Sequence, residues 1–153
     1  MEQICETLRA FLISALPDYL EQLADSSTPL PSLTENNVKV GSVNIEQQKF
    51  NQCAFILPDN QTVAELTMDT EQITTRVDVF VFVRNAQSDV LFRQALRYGM
   101  AVKKAIQNDY SCGGAFEQAS VIDFEYFDDV EASDSKIRAC RLGINIIDEM
   151  VEE

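Results

Sequence analysis

The succession of hydrophobic periods along this chain predicts an α+β fold: a mostly antiparallel sheet with an N-terminal helix and one long helix packed on one face. Three observations carry that expectation. Apolar residues recur at helical spacing from Ile4 to Leu16. They alternate with period two from Thr75 to Arg84 and again from Lys136 to Ile147. Between those two runs, helical spacing returns from Ser88 to Asn108. No repeat, low-complexity tract or composition shift divides the chain, so residues 1–153 are expected to form one domain. A chain of that length buries about 70% of its unfolded surface.

Taken in order, Ile4, Leu8, Phe11, Leu12, Ala15 and Leu16 mark the opening helix. Pro17 either kinks it or starts a second helix carrying Leu20 and Leu23. Ser26 to Pro31 reads as a loop. Val38, Val40, Val43 and Ile45 suggest a first strand with a break at Gly41, and Cys53 to Leu57 a second. Pro58-Asp59-Asn60 is a turn signal that would end the second strand, leaving Val63 to Met68 as another. From Thr75 to Arg84, Val77, Val79, Val81 and Val83 share one face, with Arg76, Asp78, Phe80, Phe82 and Arg84 on the other.

The long helix has Ser88 as expected N-cap, Asp89 at the positive end of its dipole, and a buried stripe of Leu91, Ala95, Tyr98, Val102 and Ala105. Arg93, Arg97, Lys103 and Lys104 fall largely outside that stripe. Asn108-Asp109 and Gly113-Gly114 end the helix, and Cys112-Gly113-Gly114 reads as a helix-terminating turn in preference to an anion-binding nest. Val121 to Phe127 and Lys136 to Ile147 then pair as a hairpin, with Cys140, Leu142, Ile144 and Ile146 along one side.

Charge and chemistry narrow the function. Twelve Lys and Arg stand against 25 Asp and Glu, a net of −13. Such a surface repels phosphate backbones and anionic membranes, so neither sequence-specific nucleic acid nor membrane is an expected partner. No apolar run approaches the ~18 residues of a membrane span. Four scattered cysteines follow a polar, acidic opening (Met1-Glu2-Gln3) that lacks a secretory basic segment, so free buried thiols are expected.

The chain has no histidine and no phosphate-binding glycine loop, which removes the usual general base and the commonest zinc ligand. No enzyme activity, metal or cofactor is expected. Asp123, Glu125, Asp128, Asp129, Glu131 and Asp134 form a run without a basic residue. Solvated acids on an exposed turn explain it most simply, with a partner-binding role or a metal site as alternatives.

Two features point to interfaces. Between Arg76 and Lys104 six basic residues face two acids, a net of +4, whereas the run from Asp123 to Asp134 nets −6. Either these segments neutralise each other within the fold, or Arg93, Arg97, Lys103 and Lys104 of one subunit meet Asp128, Asp129 and Glu131 of the next, head to tail. The other feature is the pair Phe80 and Phe82. With the valines inward, both phenylalanines lie on the sheet face away from the helices as candidate interface residues; the alternative is that they face the core or are covered by another segment.

A helix ending near Pro17-Asp18-Tyr19, an extended meander, the strand Val77 to Val83, the helix Leu91 to Ile106 and the final strand Ile137 to Ile147 follow one another. This order resembles that of small tailed-phage and prophage tail terminators and tail-completion (head–tail joining) proteins. The resemblance spans nearly the whole chain and lies in layout, with no short motif. It implies a non-enzymatic structural protein that forms a ring, commonly a hexamer, at the head-proximal end of the tail. Its partners would be itself and the phage tail-tube and neck proteins. It would reside in the host cytoplasm during assembly and then in the virion. A monomeric acidic adaptor or inhibitor module is the other reading.

Overall fold

The computed structural model describes residues 1–41, 51–84, 86–128 and 137–151. The elements are α1 (Glu2–Leu23), β1 (Val38–Val40), β2 (Gln52–Glu65), β3 (Thr70–Arg84), α2 (Ser88–Asn108), β4 (Gln118–Phe127) and β5 (Ile137–Val151). The strands form one sheet in the order β1-β2-β3-β5-β4. Only β1 runs parallel to its neighbour; the other pairs are antiparallel. The expected α+β fold is therefore the observed one.

Helix α1 buries Cys5, Leu8, Leu12, Leu16 and Leu20, a stripe at three- and four-residue steps that runs past Pro17 without a break. Pro17 itself is exposed and starts no second helix. The hydrogen bond it removes lies away from the packed stripe, which keeps the helix whole. Arg9 donates to the carbonyls of Val38 and Glu35 and ties α1 to β1. Gly41 ends β1 in the left-handed region (φ 96°); Val43 and Ile45 lie outside the described residues.

Pro58-Asp59-Asn60 is a bulge and not a turn. Pro58 pairs with Val77 and Asn60 with Arg76, so Asp59 is the extra residue and β2 runs on to Glu65. Strand β1 stops opposite Ile56, which makes Pro58 an edge position where a missing N–H costs no ladder bond. Val63 accordingly belongs to β2, and the reversal comes at Leu66–Asp69, where the amides of Leu66 and Thr67 meet the Thr70 carbonyl. Strand β3 begins at Thr70, five residues before its expected start at Thr75. Ser88 is the first helical residue of α2, and Gln87 is the N-cap.

The alternation in β3 and β5 sorts the sheet into two faces. Val77, Val79, Val81, Val83, Cys140, Leu142, Ile144 and Ile146 are at most 1% exposed beneath the helices. Gly99 lets α2 approach β4, because a Cβ there would collide with the Phe124 ring. After α2, Cys112, Gly113 and Gly114 all adopt positive φ, and the Gly113 amide donates to the Asp109 carboxylate. That amide is thus taken by the chain itself, in keeping with a helix-terminating turn. All four cysteines are buried and free. Burial pushes the thiols up, to about 11 for Cys112 and about 12 for Cys140, which makes them poor nucleophiles. Among the described residues no helix is long and apolar enough to cross a membrane.

Candidate functional site

The outer face of the sheet begins with an aromatic cluster. Phe80 and Phe82 lie on this face, opposite the valine core, and Phe55 of β2 stacks on both, at centroid distances of 5.3 and 5.0 Å. Cys53, Ile137 and Ala139 complete the cluster, leaving Phe82 8% exposed and Phe80 half-buried. Register explains Phe55: it sits directly across from Phe80. The pattern of Cys53 to Leu57 offers Phe55 to one face, but only strand pairing brings it to the Phe80–Phe82 pair.

Two residues along the strands, the same face turns charged. Arg141 reaches Asp78 at 2.7 Å, Glu125 at 3.0 Å and Asp123 at 3.3 Å, while Arg76 reaches Asp123 at 3.1 Å. Gly143 leaves room for this network, since a Cβ there would collide with Asp123 Oδ1 and Arg76 Nη2. Gly143→Ala should therefore part the Arg76–Asp123 pair and cost about 1–2 kcal/mol in a urea titration. In an Arg76→Ala background the same change should cost less; strict additivity would refute the coupling.

These pairs revise the reading of the acidic run as solvated acids. Asp123 and Glu125 face arginines of the same chain, and Asp128 bonds Arg138 at 2.9 Å and accepts from the Tyr126 hydroxyl. Asp129, Glu131 and Asp134 lie outside the described residues. Part of the charge asymmetry is thus neutralised inside the fold, between Arg76 of β3 and Asp123 of the β4–β5 hairpin.

The candidate residues on α2 separate into two groups. Arg93 donates to the Thr28 hydroxyl at 2.9 Å and pairs with Asp89 at 3.7 Å. Arg97 donates to the Leu23 carbonyl and to Asp25, at 3.1 and 3.0 Å. Gln94 donates to the Pro29 carbonyl, and the buried Tyr98 hydroxyl to that of Pro31. These four side chains clamp the connection between α1 and β1. Asp25 closes the clamp: it accepts from Ser27 and Thr28 as well as Arg97, and these bonds hold its carboxyl well below the usual range. Arg93→Glu with Arg97→Glu should consequently lower the melting temperature of the isolated domain; an unchanged melting curve would free both for a pure interface role. Lys103 and Lys104 are exposed instead, with no ion pair among the described residues.

Surfaces that the sequence did not single out carry most of the large exposed apolar side chains among the described residues. Val63, Leu66 and Met68 lie on the β2–β3 hairpin, with Met68 95% exposed at its tip. Phe92 and Met100 of α2, and Ile122 and Phe124 of β4, form the other concentration, each about two-fifths exposed. Helical spacing alone hints at Phe92, Leu96 and Met100 as a stripe, but only the packed sheet reveals that it is half-covered, with Phe92 edge-on to Tyr126 at 5.2 Å and Leu96 half-buried. The cleft bounded by Pro29, Pro31, Arg84 and Tyr98 measures about 190 Å³ and a second, at Glu65 to Met68, about 260 Å³, both below the usual 300–1,000 Å³ of ligand sites. No described group of acids or cysteines is placed to hold a metal ion.

No protein-family model matches the chain, and no curated protein does. The functional reading accordingly rests on these surfaces and on the layout of the fold.

Proposed function

We propose that this chain is a structural protein of a phage or prophage particle, a tail terminator or tail-completion protein that assembles as a ring at the head-proximal end of the tail. It acts without catalysis, by contacts with itself and with tail-tube and neck proteins, first in the host cytoplasm and then in the virion. One observation carries the reading. Among the described residues, seven of the nine large exposed apolar side chains are concentrated in two unlike places, the β2–β3 hairpin and the α2–β4 flank, on opposite sides of the strand order. Concentrated apolar area marks interfaces, and two unlike surfaces on one subunit favour head-to-tail closure. The layout of helices and strands supports the same family resemblance. A net charge of −13 also suits a ring through which DNA must pass without sticking.

The adaptor reading, in which an acidic face mimics nucleic acid, draws less support, because Asp123, Glu125 and Asp128 face arginines of their own chain. Purified protein should form ring particles visible by negative-stain microscopy and should bind the ends of tail tubes built from the cognate tube protein. A chain that stays monomeric and leaves tube ends bare would overturn the proposal.

A further inference from the structure

The β2–β3 hairpin extends past the helix-covered core as an arm. All β2 residues from Pro58 to Glu65 are exposed, and β1 stops at Ile56, so the outer edge of β2 has no described strand beside it from Leu57 onward. Beyond Gln61, which pairs with the buried Thr75, the four residues Thr62 to Glu65 carry the arm about 13 Å further. The arm carries Asp59, Glu65, Asp69 and Glu71, with no basic residue between Leu57 and Thr75. Its apolar side chains crowd the tip: Val63 is 58% exposed, Leu66 49% and Met68 95%.

The α2–β4 flank is its chemical complement. Phe92, Leu96, Met100 and Lys103 follow at steps of four, four and three, and so occupy one stripe of α2 with Lys104 beside it. The stripe is apolar at Phe92 and Met100 and becomes basic at Lys103, both lysines being exposed. An arm that is apolar and acidic therefore matches a stripe that is apolar and basic. The two cannot meet within one molecule. The arm is hydrogen-bonded into β3, which is itself paired with β5 as far as Val151, whereas the stripe flanks β4 beyond β5.

We infer that the β2–β3 arm of one copy docks on the α2–β4 stripe of a second copy, with Leu66 and Met68 against Phe92 and Met100, and Glu65 and Asp69 facing Lys103 and Lys104. The inference rests on the assembly reading above and names the contact that builds the ring. Apolar burial supplies the affinity. The exposed charges contribute little individually but set orientation and disfavour the wrong register. A contact between unlike surfaces leaves one arm and one stripe open at the ends of every incomplete assembly, so it propagates until the ring closes. It also replaces the Arg93 and Arg97 contact expected from the sequence, since those side chains are engaged within their own subunit.

The test uses two variants of the full chain. Met68→Asp spoils the arm, and Lys103→Glu with Lys104→Glu spoils the stripe. Each should weaken self-association by about 10–100-fold in analytical ultracentrifugation, as loss of an interface anchor does. Melting curves should stay at the wild-type position, because all three positions are exposed. When the two variants are mixed, the intact stripe of the first still meets the intact arm of the second, so one-to-one dimers should form and stop there. Self-association unchanged in either variant, or a mixture that remains monomeric, overturns the arm contact while leaving the ring intact as a proposal. A wild-type chain that never self-associates and never binds tubes overturns both.

Discussion

Replacing Arg141 by alanine is expected to destabilise the fold by about 2–3 kcal/mol at pH 7, the largest effect of any surface substitution here. Arg141 of β5 is only 15% exposed and bridges Asp78 of β3 to Glu125 and Asp123 of β4, the strands on either side of its own. Without it, three carboxylates share the remaining Arg76, which lies 3.1 Å from Asp123 and 3.8 Å from Asp78. Partial exposure of Asp123 and Glu125 keeps the expected loss below that of a fully buried pair.

The pH dependence has a definite sign. Burial by itself would raise the Asp123 carboxyl, but the hydrogen bond and charge of Arg141, the charge of Arg76 and the Gly143 amide together hold it below its ordinary value. A depressed folded-state carboxyl contributes stability that is present above the unfolded value of about 3.9 and is lost as pH falls through the folded one. The cost of Arg141→Ala should therefore be full at pH 7 and shrink below about pH 4. Urea titrations of both proteins at the two pH values measure this. Equal stability at pH 7 would sink the network as a source of stability.

Tyr98→Ala should cost about 3–5 kcal/mol, as removal of a large buried ring does. Tyr98 is 1% exposed and is the largest fully buried side chain among the described residues, in the core beneath the connection between α1 and β1. Burial pushes its phenol well above the ordinary value, so it stays a neutral donor to the Pro31 carbonyl across the working range of pH. Tyr98→Phe separates packing from bonding. It keeps the ring and removes one hydrogen bond to the exposed Pro31, for an expected loss of about 0.5–1.5 kcal/mol. Limited proteolysis should then cut the segment 24–37 faster, because Arg93, Gln94 and Arg97 are left to hold it. A phenylalanine variant with wild-type stability and wild-type protection of that segment would show that the hydroxyl bond contributes nothing.

Periodicity made most of the fold legible. The valine alternation in β3 assigned its two faces correctly, because every second side chain must meet the helices. The stripe from Leu91 to Ala105 did the same for α2. Pro17 and Pro58 misled for a common reason: a proline disrupts structure only where its missing N–H or its ring meets a partner, and both sit at exposed or edge positions. Local chemistry carries no information on that.

The candidate site was less legible. Phe80 and Phe82 were placed on the outer face from sequence, but their enclosure by Phe55, Ile137 and Ala139 depends on pairing across three strands. Arg93 and Arg97 read as free surface charges because their acceptors, Thr28, Asp25 and the Leu23 carbonyl, lie 65 to 74 positions away in the chain.

By itself, then, the sequence determined the two helices and the centres of most strands, which faces are apolar, and which reaction chemistries lack their residues, since each depends on residue type and short-range spacing. The tertiary structure alone decided which charges are satisfied at home and which remain exposed. Arg141 and Asp123 became a network, Lys103 and Lys104 stayed in solvent, and Met68 came to the tip of an open arm. Those outcomes follow from strand register and from where the helices stop covering the sheet, and neither is encoded in any short run of residues.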